Sequence, residues 1–424
     1  MIRIRNNKLL ENIFSLSVLQ AANYLLPLIT IPFLVRVLGP ERFGLVAFAQ
    51  AIGLILMTFT DYGFNLSATR EISINKMDKV RINEIFSSVF VIKLLFVCLS
   101  LIVLTAIILI FDKLRADWKL YYLFFGVVVG NLFFFLWYFQ GIEKMKYVTI
   151  LNILAKLIFT ISVFFLVRRP EHYLIVAALN SLGYILAGAL SIYFAFGVFR
   201  VKLVKPSLLS LSNELKNGYY VFVSQIASML YTNSNIVILG ILTNNVSVGY
   251  YSAGEKIIKA IQYLFNPISL AIFPHISFLA ENSRENALKF IRKVLYFFGA
   301  IFFIASLIML IFAKPLVLLL LGAEYLPAIM IVRILAFLPF ICCLGNIFGT
   351  QIMINFGLAH IFARIVSIAG LLNILAAFIF VPLLKHNGMA AIMLTTETII
   401  MLSMLIVLEL NKLSPRKKWI KTNF

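Results

Sequence analysis

The stretch Leu94–Phe111, LLFVCLSLIVLTAIILIF, runs 18 residues without an Asp, Glu, Lys or Arg. As a helix it is long enough to cross a hydrocarbon layer ~30 Å thick. Leu120–Ile142, Tyr173–Phe199 and Val294–Ala313 are at least as long and equally uncharged. Working outward from these runs, about a dozen apolar segments fill the 424-residue chain. A hydrophobic share of 62% and a mean hydropathy of +1.00 fit no soluble globular class. The bilayer is the solvent for this chain, and its work lies across or inside that layer.

The approximate spans are 11–37, 43–67, 85–111, 118–141, 146–168, 172–199, 216–242, 247–275, 290–313, 326–354, 359–384 and 387–411. The expected fold class is therefore an all-α integral membrane protein of about 12 transmembrane helices. The first run, Asn12–Val35, is too long for the apolar region of a cleavable leader and is read as the first span. The polar connections are too short to hide a soluble catalytic domain. Cys98, Cys342 and Cys343 all sit in apolar runs without metal-ligand spacing, and read as small buried hydrophobes.

Net charge is +20. In a soluble chain that balance points to nucleic acid. Here the loops account for it by the positive-inside rule, so nucleic acid is not an expected partner. With the N-terminus inside, inside segments collect 23 Lys and Arg against nine outside. Both ends are therefore expected in the cytoplasm. Lys93, Lys156, Lys256, Lys259 and Arg333 remain within the spans.

A basic connection from Arg200 to Lys216 divides the chain into 1–205 and 206–424, six spans each. The halves align at Gln20 with Gln225, Ile31 with Ile236, Leu34 with Leu239, Gly44 with Gly249 and Ile52 with Ile257. An even number of spans per half points both halves the same way. Two six-helix lobes related by a pseudo-twofold axis along the membrane normal, with a cleft between them, are the expectation.

A charge in lipid costs at least ~2.5 kcal/mol at the bilayer centre, so each one needs a reason. Span 8 holds the densest set. Glu255, Lys259, Gln262 and Asn266 recur at helical spacing, and Glu255 and Lys259 stand i,i+4 in the favourable order for pairing. Lys256 lies beside them. The stripe is either a cationic patch on a wet cavity or a structural ion pair with a snorkelling lysine. Span 7 repeats the pattern with Gln225, Ser228, Thr232 and Asn235, span 2 with Gln50, Thr58, Asp61 and Asn65, and span 1 with Gln20 and Asn23. Such faces turn inward, as helix–helix seams or as cavity walls. Lys156 and Arg333 add cations, and membrane cations outnumber membrane acids. A cavity with that excess would hold a multivalent anion such as a pyrophosphate or an acidic sugar. The expected cavity residues are Lys256, Lys259, Glu255, Arg333, Lys156, Gln225, Asn235, Gln262 and Asn23. Asp61, Glu255 and Glu397 are the acids deep enough to carry a coupling ion, and Asp61 and Glu397 serve equally as partners for a nearby cation. No catalytic constellation, metal site or phosphate loop is present in the sequence, so neither an enzyme nor a cofactor is expected.

Three segments carry a family resemblance: Phe33–Gly44 (FLVRVLGPERFG), Trp137–Tyr147 (WYFQGIEKMKY) and Gly249–Lys256 (GYYSAGEK), followed by Pro267-Ile268-Ser269 and Phe273-Pro274. Together they resemble the bacterial polysaccharide transporter family. The nearest match is to O-antigen repeat-unit flippases of the multidrug/oligosaccharidyl-lipid/polysaccharide exporter superfamily. The resemblance implies alternating access in the bacterial inner membrane. It implies transfer of an undecaprenyl-pyrophosphate-linked oligosaccharide between leaflets, coupled to protons or sodium. A polysaccharide polymerase and a chain-length regulator are the implied partners beside membrane lipid. A multidrug-type cation-coupled antiporter on the same fold is the alternative.

Overall fold

The computed structural model describes residues 2–413, with side chains from residue 26 onward except 28, 227, 228, 230 and 231. All regular elements among the described residues are helical. The chain forms two compact units, Met1–Met229 and Leu230–Phe424. Among the described residues, nine helical stretches are long and apolar enough to cross a membrane. This is a multi-pass membrane protein.

The first unit contains α1 (Ile2–Asp61), α2 (Phe64–Ile74), α3 (Lys79–Ile110), α4 (Asp112–Arg115), α5 (Trp118–Phe133), α6 (Leu136–Gly141), α7 (Met145–Leu166) and α8 (Tyr173–Ile192). Helix α9 (Leu208–Thr232) runs out of it, and the units divide inside α9 rather than at the expected 205/206. The second unit contains α10 (Ser234–Leu242), α11 (Asn245–Gln262), α12 (Phe265–Asn282), α13 (Arg284–Ile311), α14 (Ala313–Leu320), α15 (Ala328–Leu335), α16 (Leu338–Asn346) and α17 (Ala359–Leu410).

Local chemistry sets the boundaries. Helix α1 is interrupted at Gly39, whose φ of 67° only glycine adopts cheaply, and Pro40 follows. That is the turn expected between spans 1 and 2, compressed to one residue. Lys385 (φ 50°) interrupts α17 in the same way. Asp78 caps α3, its carboxylate accepting from the Val80 and Arg81 amides at 3.0 Å each. Asn244 caps α11 through the Ser247 amide at 2.9 Å. The expected span 8 is broken by a turn at Tyr263–Leu264, which separates α11 from α12. Pro267 has no amide hydrogen for the Tyr263 carbonyl, which weakens the helix at that point.

The WYFQG segment proves to be core. Trp137 and Phe139 are fully buried, Phe86, Phe135 and Tyr138 meet Trp137 in tilted and edge-on ring contacts, and Phe196 packs edge-on against Phe86 and Phe135. Thr69 donates to the Trp137 carbonyl at 3.1 Å, tying α2 to α6.

Helices α5 and α8 meet backbone to backbone at Gly130. A Cβ there would lie 2.5 Å from the Tyr184 carbonyl carbon. Small residues permit such approach between membrane helices. Gly130→Ala is therefore expected to destabilise the protein by about 1–3 kcal/mol, although alanine is the better helix former. Gly53→Ala is the control, since its Cβ would meet nothing closer than 3.6 Å. Thermal unfolding in detergent should fall for the first variant and hold or rise for the second.

Candidate functional site

Among the described residues, both units hold buried charged side chains tied to neighbouring helices. In the second unit they lie around α11. The Lys259 Nζ lies 2.9 Å from Glu255 Oε1, the pair expected from their spacing. Glu255 is 2% and Lys259 19% exposed at the side chain. The Tyr251 hydroxyl, one turn earlier, lies 3.3 Å from Glu255 Oε1 and 3.1 Å from Met393 Sδ on α17. Asn235 of α10 is fully buried and hydrogen-bonds with the same hydroxyl.

Glu397 of α17 enters from the other side. Its carboxylate accepts from the Cys342 thiol of α16 and interacts electrostatically with Lys259. Lys256, half-buried, lies in electrostatic range of both Glu255 and Lys259. Four helices, α10, α11, α16 and α17, thus contribute to one cluster with two acids and two lysines. Gln262 closes α11, half-buried, three residues beyond Lys259. Asn266, expected on the same stripe, sits on α12 beyond the break.

Arg333 does not join this cluster. Helix α15 packs on α11 where Gly254 faces Ile331, with room for a Cβ only 3.0 Å from Ile331 Cγ2. Arg333 follows Ile331 by two residues, roughly 200° round a helix, and is exposed. Spacing within span 10 does not reveal which face meets span 8.

In the first unit a network joins α1, α3 and α5. Lys93, 1% exposed, donates from Nζ to Asp61 Oδ1 at 2.8 Å and to the Asn131 carbonyl at 3.3 Å. Asn131 Nδ2 donates to the same carboxylate oxygen at 2.8 Å, and Asn65 Nδ2 to the other at 3.3 Å. Asp61 is thus bound by three side-chain donors. That geometry is a tie between helices, the second of the two roles weighed for this acid. Lys156 on α7 and Gln225 on α9 are half-buried members of the first unit. The Asn23 side chain falls outside the described residues. Among those described, no three His, Cys, Asp or Glu side chains gather as a metal-binding group.

Sequence reasoning missed Tyr251, Met393 and Cys342. Cys342 read as a small hydrophobe, yet its thiol holds Glu397. No local signal marked that contact, because 55 residues separate the two side chains in the chain.

Residues 9–280 match the family model described as polysaccharide biosynthesis protein. A protein of Escherichia coli (strain K12), whose name marks it as a candidate O-antigen transporter, is 35% identical over 95% of this chain and 97% of its own. Among solved structures, an inward-facing multidrug resistance transporter of the MATE family superposes with a TM-score of 0.74 at 14% identity, over 93% of this chain and 96% of its own. The lipid II flippase MurJ superposes with a TM-score of 0.68, also at 14%, over 92% of this chain and 87% of its own. Those two show the fold. The chain belongs to the polysaccharide biosynthesis protein family.

Proposed function

We propose that this protein moves an undecaprenyl-pyrophosphate-linked O-antigen repeat unit from the cytoplasmic to the periplasmic leaflet of the bacterial inner membrane. It does so by ion-coupled alternating access, with both termini in the cytoplasm. The observation that carries the reading is the α11 cluster of Glu255, Lys256, Lys259 and Glu397 in a transporter of this family. A headgroup bearing two phosphates sheds much of its hydration on entering the membrane. Lysines already fixed by acids can offset that loss without reorganising. When the phosphate engages Lys256 and Lys259, Glu255 and Glu397 lose part of their counter-charge and take up an ion in exchange. Lys156 and Arg333 serve the acidic or polar sugars.

The test uses vesicles holding the purified protein and an undecaprenyl-pyrophosphate oligosaccharide with a fluorescent sugar. Quencher added outside should reach nearly all of the label, against about half in protein-free vesicles. Equal protection in both would refute the proposal.

A second reading, a multidrug-type antiporter, is favoured by one feature. Within the α11 cluster acids and lysines balance two to two, so the cluster is less cationic than the membrane charges as a whole. Resistance to cationic drugs on overexpression, lost in Glu397→Gln, would support it.

A further inference from the structure

The first half of α9 lies on the first unit along side chains four residues apart. The hydroxyls of Ser210 and Ser88 are 2.8 Å apart. One turn on, Glu214 faces the beginning of α3, with Arg81 Nη2 4.0 Å from its Oε1. Another turn on, Gly218 rests on the Tyr62 carbonyl, where a Cβ would come within 2.9 Å of the oxygen. A fourth turn brings Phe222, stacked on Tyr62 at 4.6 Å between ring centres and edge-on to Phe59 at 6.0 Å. Positions 210, 214, 218 and 222 form one ridge of a helix. Three of them are neutral contacts, and the fourth is a carboxyl group.

Glu214 is 0% exposed, and neither of its carboxylate oxygens has a hydrogen-bond partner. Arg81 is closer to Glu84, at 3.1 Å, than to Glu214. Glu71, at the end of α2, places a second negative charge near the group. Its own partner Arg70, at 3.4 Å, is mostly exposed and screened by water. Lys79 on α3 and Lys216 on α9 are exposed. A carboxylate in this position is desolvated, faces a like charge and receives no donor. A carboxylic acid there is neutral and fits.

We propose that Glu214 is a proton-binding site and that the bound proton latches α9 onto the first unit. With the proton in place the ridge seats along its whole length. Loss of the proton to water leaves a charge that the seat cannot hold, and α9 loosens at its first turns. Burial and then Glu71 push the Glu214 carboxyl up to about 7, with Arg81 opposing them. Glu214 precedes the apolar part of α9, so the proton exchanges with the aqueous phase. The docked helix holds a proton that the loosened helix gives up. Docking is therefore strongest at low pH, weakens as pH climbs above about 4, and levels off beyond about 7. None of this depends on what the protein carries.

The test is hydrogen–deuterium exchange of the full-length protein in lipid nanodiscs, read in peptides covering residues 208–222 and divided by intrinsic rates. The wild type should exchange on the order of tenfold faster, or more, at pH 7 than at pH 5. Glu214→Gln should remove the pH dependence and stay slow. Glu71→Gln should move the midpoint down and Arg81→Gln should move it up, opposite shifts that a purely packing role does not produce. A flat wild-type profile, a profile unchanged in Glu214→Gln, or shifts of the same sign in the two neighbours would overturn the assignment.

Discussion

Lys93→Met should destabilise the first unit by about 3–5 kcal/mol, among the largest losses from any single substitution in the chain. Methionine matches the length of the lysine stem and removes only the charge and its donors. What remains is the Asp61 carboxylate with Asn131 and Asn65 still donating, and with no cation in a buried site. Asp61→Asn should cost a similar amount for the converse reason, since it strands the Lys93 ammonium at 1% exposure. The double variant should recover most of the loss, because an apolar and amide pair of similar volume leaves nothing charged to desolvate. Thermal unfolding of the three purified variants in detergent measures this directly. If the losses add instead of cancelling, Asp61 and Lys93 do not act as a pair. The consequence for transport is clear. If the double variant also still carries substrate, Asp61 is excluded as an ion-coupling residue, leaving Glu255 and Glu397.

The same comparison explains what the sequence could and could not reveal. Apolar runs such as Leu94–Phe111 announce helices in lipid, because hydropathy and length are properties of a single segment. The Glu255–Lys259 pair was legible for the same reason, with both side chains one turn apart on one helix. The Asp61–Lys93–Asn131 network was not. Its members lie 32 and 38 residues apart on three helices, and no periodicity links them. Counting cations against acids gives their excess but not their pairing, and taking out Lys93 together with Asp61 leaves that excess unchanged. Span limits were blurred where a single residue makes the turn, at Gly39 and Lys385, and where the turn at Tyr263–Leu264 breaks what reads as one helix. Glu214 escaped notice because it sits just outside the apolar run, where an acid among lysines looks like ordinary loop chemistry.

Lys256→Gln should abolish surface O-antigen while leaving the protein folded and in the membrane. Lys259 is bonded to Glu255 at 2.9 Å, so Lys259→Ala strands a carboxylate at 2% exposure and confounds folding with transport. Lys256 is attracted to Glu255, and it is less deeply enclosed than that acid. Its replacement by a neutral side chain of similar length should change stability by less than about 1 kcal/mol. The phosphate site would lose one of two cations, at a cost of roughly 1.5–3 kcal/mol for a charged hydrogen bond, or about 10- to 100-fold in substrate affinity. Lys256→Arg should restore part of the activity, since a guanidinium keeps the charge in a different shape. The paired variant Glu255→Gln/Lys259→Met supplies the complementary arm. It removes both charges together and should fold, yet fail to carry a pyrophosphate-linked substrate. Normal surface polysaccharide in both Lys256→Gln and the paired variant would show that the α11 cluster is a structural tie like that of Asp61 and Lys93, and that the headgroup is bound elsewhere.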